Sequence, residues 1–368
     1  MAAISDTEPE ATVGEVMQAI ENYFRPNVRA MLPYVPGEQP PPGRAIKLNT
    51  NENPYPPSPR VAEAIAAAAE SLQRYPDPLA TKFRHAAAGV LGVEPDQILC
   101  GNGSDDILTI LTRAFVAPGD TIRFPDPSYI LYRTLGHLQD ARIEERPFAE
   151  DWSLSAPFFE LSERLRLVYL PNPNSPTGTL VPKAQIVELA KRLQCPLLVD
   201  EAYVDFASES CIDLPAALPN VIVSRTLSKS YALAGLRFGY CVAHPRMVAM
   251  LRKVKDSYNT DAIANAAAAA AVLDQEWLVE NVRRCNATRS RMTAALRELG
   301  FACIDSQANF VWCKHPTADS RQLYEKLKAR EIYVRYMNYP SWTDGLRISV
   351  GTDPAVDAML AALREAIE

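Results

Sequence analysis

The chain has 368 residues, 48% of them hydrophobic, and a formal net charge of −6 at pH 7, so it can bury a large core but has no basic surface typical of nucleic-acid binding. Its seven cysteines include no C-x-x-C pair and its four histidines are scattered, which argues against a disulfide framework or a metal site and favours reduced thiols in the cytoplasm. It has no run of about 18 apolar residues, and its acidic start, MAAISDTEPE, does not read as a signal peptide.

The first 48 residues are predicted to form an arm. Residues 15–24 have helical spacing, but the segment that follows, PNVRAMLPYVPGEQPPPGR, contains too many prolines for regular structure. A second irregular stretch, IKLNTNENPYPPSP, precedes a predicted helix at residues 60–71. We therefore expect the arm, residues 1–48, to lie over a surface of the folded domains.

From residue 80 onward, short apolar strands alternate with helices. The strands are predicted in QILC, TIRF, RLVYL, PLLVDEAY, VIVS and FGYCVA, and the helices at residues 81–91, 107–115, 128–138 and 184–193. Strands separated by helices need crossover connections, which produce a mostly parallel sheet. The sequence therefore predicts an α/β fold with a large, doubly wound domain over residues 49–275.

A smaller α/β unit is predicted after this domain, over residues 276–368. Long helical stretches come first, followed by ANFVWCK, a helix at residues 319–330, EIYVRYM, LRISVG and a terminal helix. The alanine-rich residues 262–272 just before this unit are interpreted as a packed helix. The chain is thus expected to have two α/β domains and the N-terminal arm.

Polar loops follow several predicted strands of the large domain: GNGSDD, PDPSY, PNPNSPTG, DEAY and RTLSK. Ligands of open α/β sheets bind beyond the carboxyl ends of the strands, so these loops should converge on one crevice. GNGSDD, with Gly103, begins a helix and offers backbone N–H groups to an anion. The same segment is also explained by a plain strand-to-helix turn that Ser104 or Asp105 caps.

Three charged residues are predicted at this edge of the sheet: Asp200, Lys229 and Arg237. Taken alone, Asp200 is explained by a cap or a salt bridge, and Lys229 by an exposed helix lysine. Together with the glycine-rich helix start, they fit pyridoxal 5′-phosphate. The amine forms a Schiff base with the coenzyme aldehyde, the carboxylate pairs with the ring nitrogen, and the guanidinium and N–H donors hold the phosphate.

The segments DEAY, TLSKSYALAGLRFGY, NPNSPTG and LRISVGT resemble the signatures of fold-type I pyridoxal-phosphate aminotransferases. The pattern is most similar to the histidinol-phosphate aminotransferase family, from LNTNENPYPPSP and RYPDP to VRYMN. The resemblance implies a cytoplasmic homodimer with shared active sites. It also implies ping-pong transamination of L-histidinol phosphate with 2-oxoglutarate, in histidine biosynthesis.

The resemblance also assigns roles at the cofactor. Lys229 is the Schiff-base lysine, which moves a proton between substrate and cofactor; Asp200 pairs with the ring nitrogen, and Tyr203 hydrogen-bonds the ring hydroxyl. Tyr129 lies against the ring, and Tyr75 reaches the cofactor phosphate of the partner subunit. The phosphate is held by Gly103, Ser104, Asp105, Ser228 and Arg237.

One loop departs from the family pattern. The family usually has asparagine before Pro-Thr-Gly, where it contacts the ring hydroxyl, whereas this chain has Ser175, with Asn174 one place earlier. The shorter Ser175 side chain acts through water, or Asn174 takes its place. The sequence leaves open which group donates to the ring hydroxyl.

The remaining implied roles concern the substrate. Arg347 clamps the α-carboxylate of glutamate or 2-oxoglutarate through a bidentate fork, with Asn49 and Asn309 as wall residues. Arg335 and the arm residue Tyr34 bind the phosphate of histidinol phosphate. Without the resemblance, Arg335 is an ordinary edge-strand residue.

Three alternative functions stay open. Tyr34, Tyr129 and Tyr336 would also suit the pocket of an aromatic amino-acid aminotransferase. A threonine-phosphate decarboxylase shares the fold and also holds a phosphate. A homologue that binds pyridoxal phosphate without turnover is the third alternative.

Overall fold

A computed structural model describes residues 17, 19–33, 37–40, 43 and 45–367. In the predicted first helix, residues 17 and 19–21 are helical. Tyr34 lies outside the described residues. The first elements are the short helix α1 (Pro26–Ala30) and the two-residue strand β1 (Ile46–Lys47).

A seven-stranded sheet organises the larger part of the chain. Its strands are β2 (Ile98–Gly101), β3 (Thr121–Asp126), β4 (Arg142–Pro147), β5 (Leu165–Pro171), β6 (Leu197–Asp200), β7 (Val221–Thr226) and β8 (Gly239–Val242). Their order is β2-β8-β7-β6-β5-β3-β4. β8 is antiparallel to both of its neighbours, and the other pairs are parallel. The predicted α/β fold with a mostly parallel sheet is confirmed.

Helices cover both faces of this sheet. They are α2 (Pro59–Ala69), α3 (Thr81–Leu91), α4 (Ser104–Phe115), α5 (Leu131–Leu138), α6 (Lys183–Arg192), α7 (Leu214–Ala217), α8 (Pro245–Leu251) and α9 (Ala262–Leu273). Side chains along β5 alternate between two cores: Leu167 and Tyr169 pack on one face, Val168 and Leu170 on the other. This double burial explains why the strand is a continuous apolar run.

A second, antiparallel sheet lies in the C-terminal part. Its strands are β9 (Ala302–Cys303), β10 (Phe310–Lys314), β12 (Arg335–Asn338) and β13 (Asp344–Ser349), in the order β12-β13-β10-β9. Helices α10 (Gln275–Glu298), α11 (Ser320–Lys328) and α12 (Asp353–Ile367) contribute to the same core. The domain boundaries predicted after residues 48 and 275 stay predictions.

The segment predicted as one strand, EIYVRYM, is divided between two sheets. Its first part, β11 (Ile332–Tyr333), pairs in parallel with β1, whereas β12 pairs with β13. The β1–β11 pair fixes the start of the segment LNTNEN. The next residues continue beside β13, where the Ser349 amide donates to the Leu48 carbonyl over 3.0 Å. An irregular stretch of sequence is thereby positioned against the small sheet.

No helix in the part of the chain that the structure describes is both long and apolar enough to span a membrane.

Candidate functional site

Asp200 ends strand β6 and is held by two hydroxyl groups. The residue is 5% exposed. The Tyr132 phenol donates a hydrogen bond of 2.8 Å to one carboxylate oxygen, and the Ser224 hydroxyl donates one of 3.0 Å to the other. Ser224 is the register partner of Asp200 on the neighbouring strand β7. The carboxylate is thus oriented at the carboxyl ends of the parallel strands.

Burial raises the pKa of the Asp200 carboxyl to about 6, even though the hydrogen bonds from Tyr132 and Ser224 lower it. The negative charge of Asp105 raises this pKa further. Because removal from water disfavours the charged form, a cation beside the carboxylate would be strongly attracted. The site is therefore suited to a protonated ring nitrogen.

Replacing Tyr132 with phenylalanine is expected to raise the pKa of Asp200 above about 6. The change removes one donor but keeps the ring, which stacks on Tyr169 at a centroid distance of 4.7 Å. When folding raises the pKa of a carboxyl, the folded protein becomes less stable as the pH rises from the unfolded-state pKa to the folded-state pKa. The unfolding free energy of the ligand-free wild type should therefore fall between about pH 4 and pH 6, and that of the variant should continue to fall at higher pH.

Denaturant titrations of both proteins across this pH range measure the effect. The difference between the two profiles removes the contribution of all other titrating groups. Profiles that differ by a constant at every pH would show that the Tyr132 hydroxyl does not act on Asp200.

Lys229 is half-buried and points into the same crevice. Its ammonium donates to the Thr50 carbonyl over 3.1 Å and lies 5.8 Å from the ring centroid of Tyr203. The Asn53 amide holds the Lys229 backbone by donating to its carbonyl over 3.1 Å and to that of Ser230 over 3.0 Å. The lysine is thus held at its backbone and at its ammonium by the segment of residues 50–53, and it is not an exposed helix lysine.

The predicted anion site forms at the start of helix α4. One Arg237 nitrogen donates to Asp105 over 3.2 Å and another to the Ser228 hydroxyl over 3.4 Å. Asp105 also accepts a 3.2 Å hydrogen bond from the phenol of Tyr129. A guanidinium, hydroxyls and the free N–H groups of a helix start therefore meet at one point, which suits a phosphate.

Two glycines allow this close approach. A Cβ on Gly103, whose φ is +82°, would lie 2.6 Å from an Arg237 nitrogen. A Cβ on Gly239 would lie 2.4 Å from the backbone nitrogen of Ser104. Both distances are shorter than any ordinary contact, so only glycine leaves room for the arginine and the helix start. The residues present fit the phosphate end of pyridoxal phosphate.

Arg347 lies on β13 beside this crevice. Its guanidinium donates to the Ser175 hydroxyl and to the Asn49 carbonyl, each over 3.0 Å, and lies 5.4 Å from the ring centroid of Phe310. Asn309 is buried close by, and its amide donates to the carbonyl of Asn51 over 3.0 Å. Asn49 thus contacts Arg347 through its backbone.

Arg335 and Arg347 are register partners on the adjacent antiparallel strands β12 and β13. Side chains of directly opposite residues lie on the same face of a sheet. Arg335 is half-buried. Its guanidinium lies close to Gly37 of the arm, where an added Cβ would be 3.6 Å from one of its nitrogens. The two arginine side chains therefore extend from the same face of the small sheet, where together they can bind a substrate that carries two anionic groups.

Ser175 and Asn174, in the loop that departs from the family pattern, have different hydrogen-bond partners. Ser175 accepts a hydrogen bond from Arg347. The buried Asn174 amide donates to the Thr177 hydroxyl of its own loop over 2.9 Å and to the Pro127 carbonyl, in the loop after β3, over 3.1 Å. Both amide hydrogens of Asn174 therefore hold these two loops in place, and Ser175 contacts Arg347.

Tyr75 lies away from these contacts. It is 82% exposed, and its ring stacks on Tyr258 at a centroid distance of 4.6 Å. Its predicted reach to a partner subunit stays a prediction. No group of three or more potential metal ligands occurs within the described ranges.

Three residues of this site were not predicted from the sequence: Asn51, Tyr132 and Ser224. The Asn51 amide donates to the Tyr203 hydroxyl over 3.0 Å. Tyr132 was detectable, since it follows Tyr129 by one helical turn in PDPSYILY. Asn51 carries no comparable signal, because its contacts are with residues far away in the sequence.

Comparisons with known proteins agree with this geometry. The sequence pattern described as aminotransferase class I and II matches residues 44–363. A histidinol-phosphate aminotransferase of Rhodopirellula baltica is 56% identical over 347 residues, which is 94% of this chain and 96% of that protein. Histidinol-phosphate aminotransferase 1 of Trichormus variabilis is 49% identical over 94% of this chain and 99% of its own length. The solved histidinol-phosphate aminotransferase of Sinorhizobium meliloti, in complex with pyridoxal 5′-phosphate, has a TM-score of 0.85 at 29% identity and covers 94% of this chain and 97% of its own.

Proposed function

The chain belongs to the histidinol-phosphate aminotransferase family, within the class I and II aminotransferases, and we propose that it transfers the amino group of L-histidinol phosphate to 2-oxoglutarate. It is a pyridoxal-phosphate-dependent aminotransferase, as the motifs predicted. The observation that carries the substrate proposal is the placement of Arg335 beside Arg347 on adjacent strands. The chemistry is ping-pong, so both substrates occupy the same crevice in turn.

Bound pyridoxal phosphate supplies an aldehyde for the amino group and a ring that withdraws electrons. Lys229 forms the attachment point and then moves the proton at the substrate Cα, because its amine lies in the crevice. Asp200, oriented by Tyr132, holds the ring-nitrogen proton in place. Ser228, Arg237 and the N–H groups of Ser104 and Asp105 hold the phosphate, with Gly103 leaving them room.

Arg347 and Arg335 bind opposite ends of the substrate. Glutamate presents its α-carboxylate to Arg347 and its distal carboxylate to Arg335. Histidinol phosphate has no carboxylate, so its phosphate depends on Arg335. A guanidinium fork binds carboxylate and phosphate with the same geometry, which lets one site serve both substrates. Asn49 and Asn309 form the wall beside Arg347, and Tyr34 is proposed to close the distal end.

We also propose a cytoplasmic homodimer that shares its active sites. The exposed, stacked ring of Tyr75 supports such a partner surface, since large exposed aromatic side chains are typical of interfaces. In this arrangement Tyr75 reaches the cofactor phosphate of the partner subunit. Tyr129 would lie against the ring of bound pyridoxal phosphate, and Asn174 and Ser175 would border it.

A donor panel with 2-oxoglutarate tests the proposed substrate. Histidinol phosphate should show the highest kcat/KM, above those of phenylalanine and tyrosine. A higher value for the aromatic amino acids would replace the proposal with an aromatic amino-acid aminotransferase. Release of carbon dioxide from threonine phosphate would indicate the decarboxylase, and absence of turnover with every donor would indicate a non-catalytic homologue.

The variant Arg335→Ala extends this test to one residue. We expect kcat/KM for histidinol phosphate to fall roughly 30- to 160-fold, which corresponds to a loss of about 2–3 kcal/mol of transition-state stabilisation. Glutamate should lose less, because Arg347 still binds its α-carboxylate. Arg330→Ala removes the same charge from an exposed ion pair with Glu365 and serves as the matched control. Equal losses for both donors would show that Arg335 is structural.

A further inference from the structure

Asn51 is buried in the crevice in an unusual backbone conformation. It is 1% exposed, and its φ of +56° lies in the left-handed region, which asparagine and aspartate tolerate better than most residues. Its backbone nitrogen donates to the Ser349 hydroxyl over 2.8 Å, and that hydroxyl donates to Asn51 Oδ1 over 2.9 Å. Asn309 donates to its carbonyl over 3.0 Å. Asn51 is thus fixed by the small sheet at both its backbone and its side chain.

The side-chain nitrogen of Asn51, Nδ2, points to the segment that follows strand β6 of the large sheet. Because Oδ1 accepts from Ser349, Nδ2 faces the Tyr203 phenol and donates to its oxygen over 3.0 Å. A phenol has one hydrogen. Because Asn51 donates to the Tyr203 oxygen, the hydroxyl hydrogen of Tyr203 must point away from Asn51. The Lys229 ammonium lies over the face of the Tyr203 ring, 5.8 Å from its centroid.

We propose that Asn51 is a positioning residue that directs the Tyr203 hydroxyl hydrogen toward the ring oxygen of bound pyridoxal phosphate. The inference rests on the proposed function. It answers the question left by the serine at position 175, whose short side chain lies against Arg347. With Ser175 engaged by Arg347, the Tyr203 hydroxyl is the donor to the ring oxygen, and Asn51 sets its direction.

Such a donor affects the colour of the cofactor as well as the turnover rate. The deprotonated chromophore carries more negative charge on the ring oxygen than the protonated one. A hydrogen bond donated to this oxygen therefore favours the deprotonated form and lowers the pH at which the visible absorbance changes. Loss of the donor should raise that midpoint and weaken cofactor binding.

Asn51→Asp reverses the direction of this hydrogen bond. Aspartate has nearly the same shape, tolerates positive φ, and still accepts from Ser349, but its carboxylate only accepts from Tyr203. The Tyr203 hydrogen then turns toward residue 51. We expect the absorbance midpoint of the full-length holoenzyme to rise by about one pH unit, and the dissociation constant of pyridoxal phosphate to rise about tenfold.

A double-mutant cycle separates this role from a structural one. The effect of Asn51→Asp is measured in the wild type and in Tyr203→Phe, which lacks the hydroxyl. The proposal expects a larger shift in the first background than in the second, where only the added negative charge of the aspartate acts. No shift in the wild type, or equal shifts in both backgrounds, overturns it.

Asn51→Gly covers the case in which the aspartate variant does not fold. Glycine adopts positive φ freely and keeps the backbone bond to Ser349, while it removes the amide donor to Tyr203 together with the oxygen that accepts from the Ser349 hydroxyl. The midpoint should move in the same direction by a smaller amount, and an unchanged midpoint overturns the proposal. A wild-type protein that gains no visible absorbance with pyridoxal phosphate overturns the proposed function, which distinguishes that failure from failure of the Asn51 role.

Discussion

Replacing Lys229 with alanine is expected to abolish covalent attachment of pyridoxal phosphate and to lower transamination at least about 10⁴-fold. The variant loses the attachment point and the group that moves the Cα proton at once. No other amine is placed to substitute within the described site, where Lys47 is engaged with Thr50 over 2.7 Å. Borohydride reduction followed by peptide mass spectrometry detects the attachment, and single-turnover kinetics measure the rate.

The matched control is Lys183→Ala. Lys183 forms an exposed ion pair with Asp213 and has no contact with the crevice. Its loss should leave both the cofactor adduct and the rate unchanged. An adduct that persists on another lysine in the Lys229 variant, together with retained turnover, would refute the assignment of the catalytic amine.

The large sheet was predictable because burial leaves a strong pattern. The central strands are covered on both faces, so segments such as RLVYL are unbroken apolar runs between helices. The sequence did not predict β4, because this strand lies at the edge of the sheet and its sequence, RIEERP, is mostly charged and lacks an apolar run. The division of EIYVRYM was also missed, since each piece pairs with a strand far away in sequence.

The cofactor end of the site was predictable for a related reason. Asp200 ends β6, Lys229 follows β7, and Arg237 precedes the antiparallel strand β8, so topology alone brings them to one edge of the same sheet. Their individual roles came from the resemblance to a family. Their mutual geometry did not follow from either source.

Asn51 shows what the sequence did not contain. Its partners Tyr203 and Ser349 are 152 and 298 positions away, and the segment around it has no periodicity to place it. The pairing of β1 with β11 and the contacts of the next residues with β13 carry it to the crevice. Residues positioned by such long-range contacts leave no local pattern to read.

Asp200→Asn is expected to lower kcat/KM by a factor that corresponds to about 3 kcal/mol or more of transition-state stabilisation, since a preorganised charge beside the cofactor ring is lost. The fold should survive, because asparagine satisfies the same partners. Its oxygen accepts from Tyr132, and its amide donates to Ser224, whose hydroxyl rotates to accept. Steady-state kinetics measure the loss, and wild-type rates would show that Asp200 does not serve the ring nitrogen.

The same substitution should make the cofactor-free protein more stable at neutral pH. Folding raises the pKa of Asp200 from 3.8 to about 6, so the buried charge opposes folding by about 3 kcal/mol above pH 6. Asparagine has no charge to bury, and its advantage should disappear below about pH 4, where the wild-type carboxyl is protonated in both states. Denaturant unfolding at pH 7 and at acidic pH measures this difference. Higher stability together with lower turnover would show that the Asp200 charge is kept for the cofactor at a cost to folding. A variant that is less stable at pH 7 would show instead that Tyr132 and Ser224 already compensate the charge.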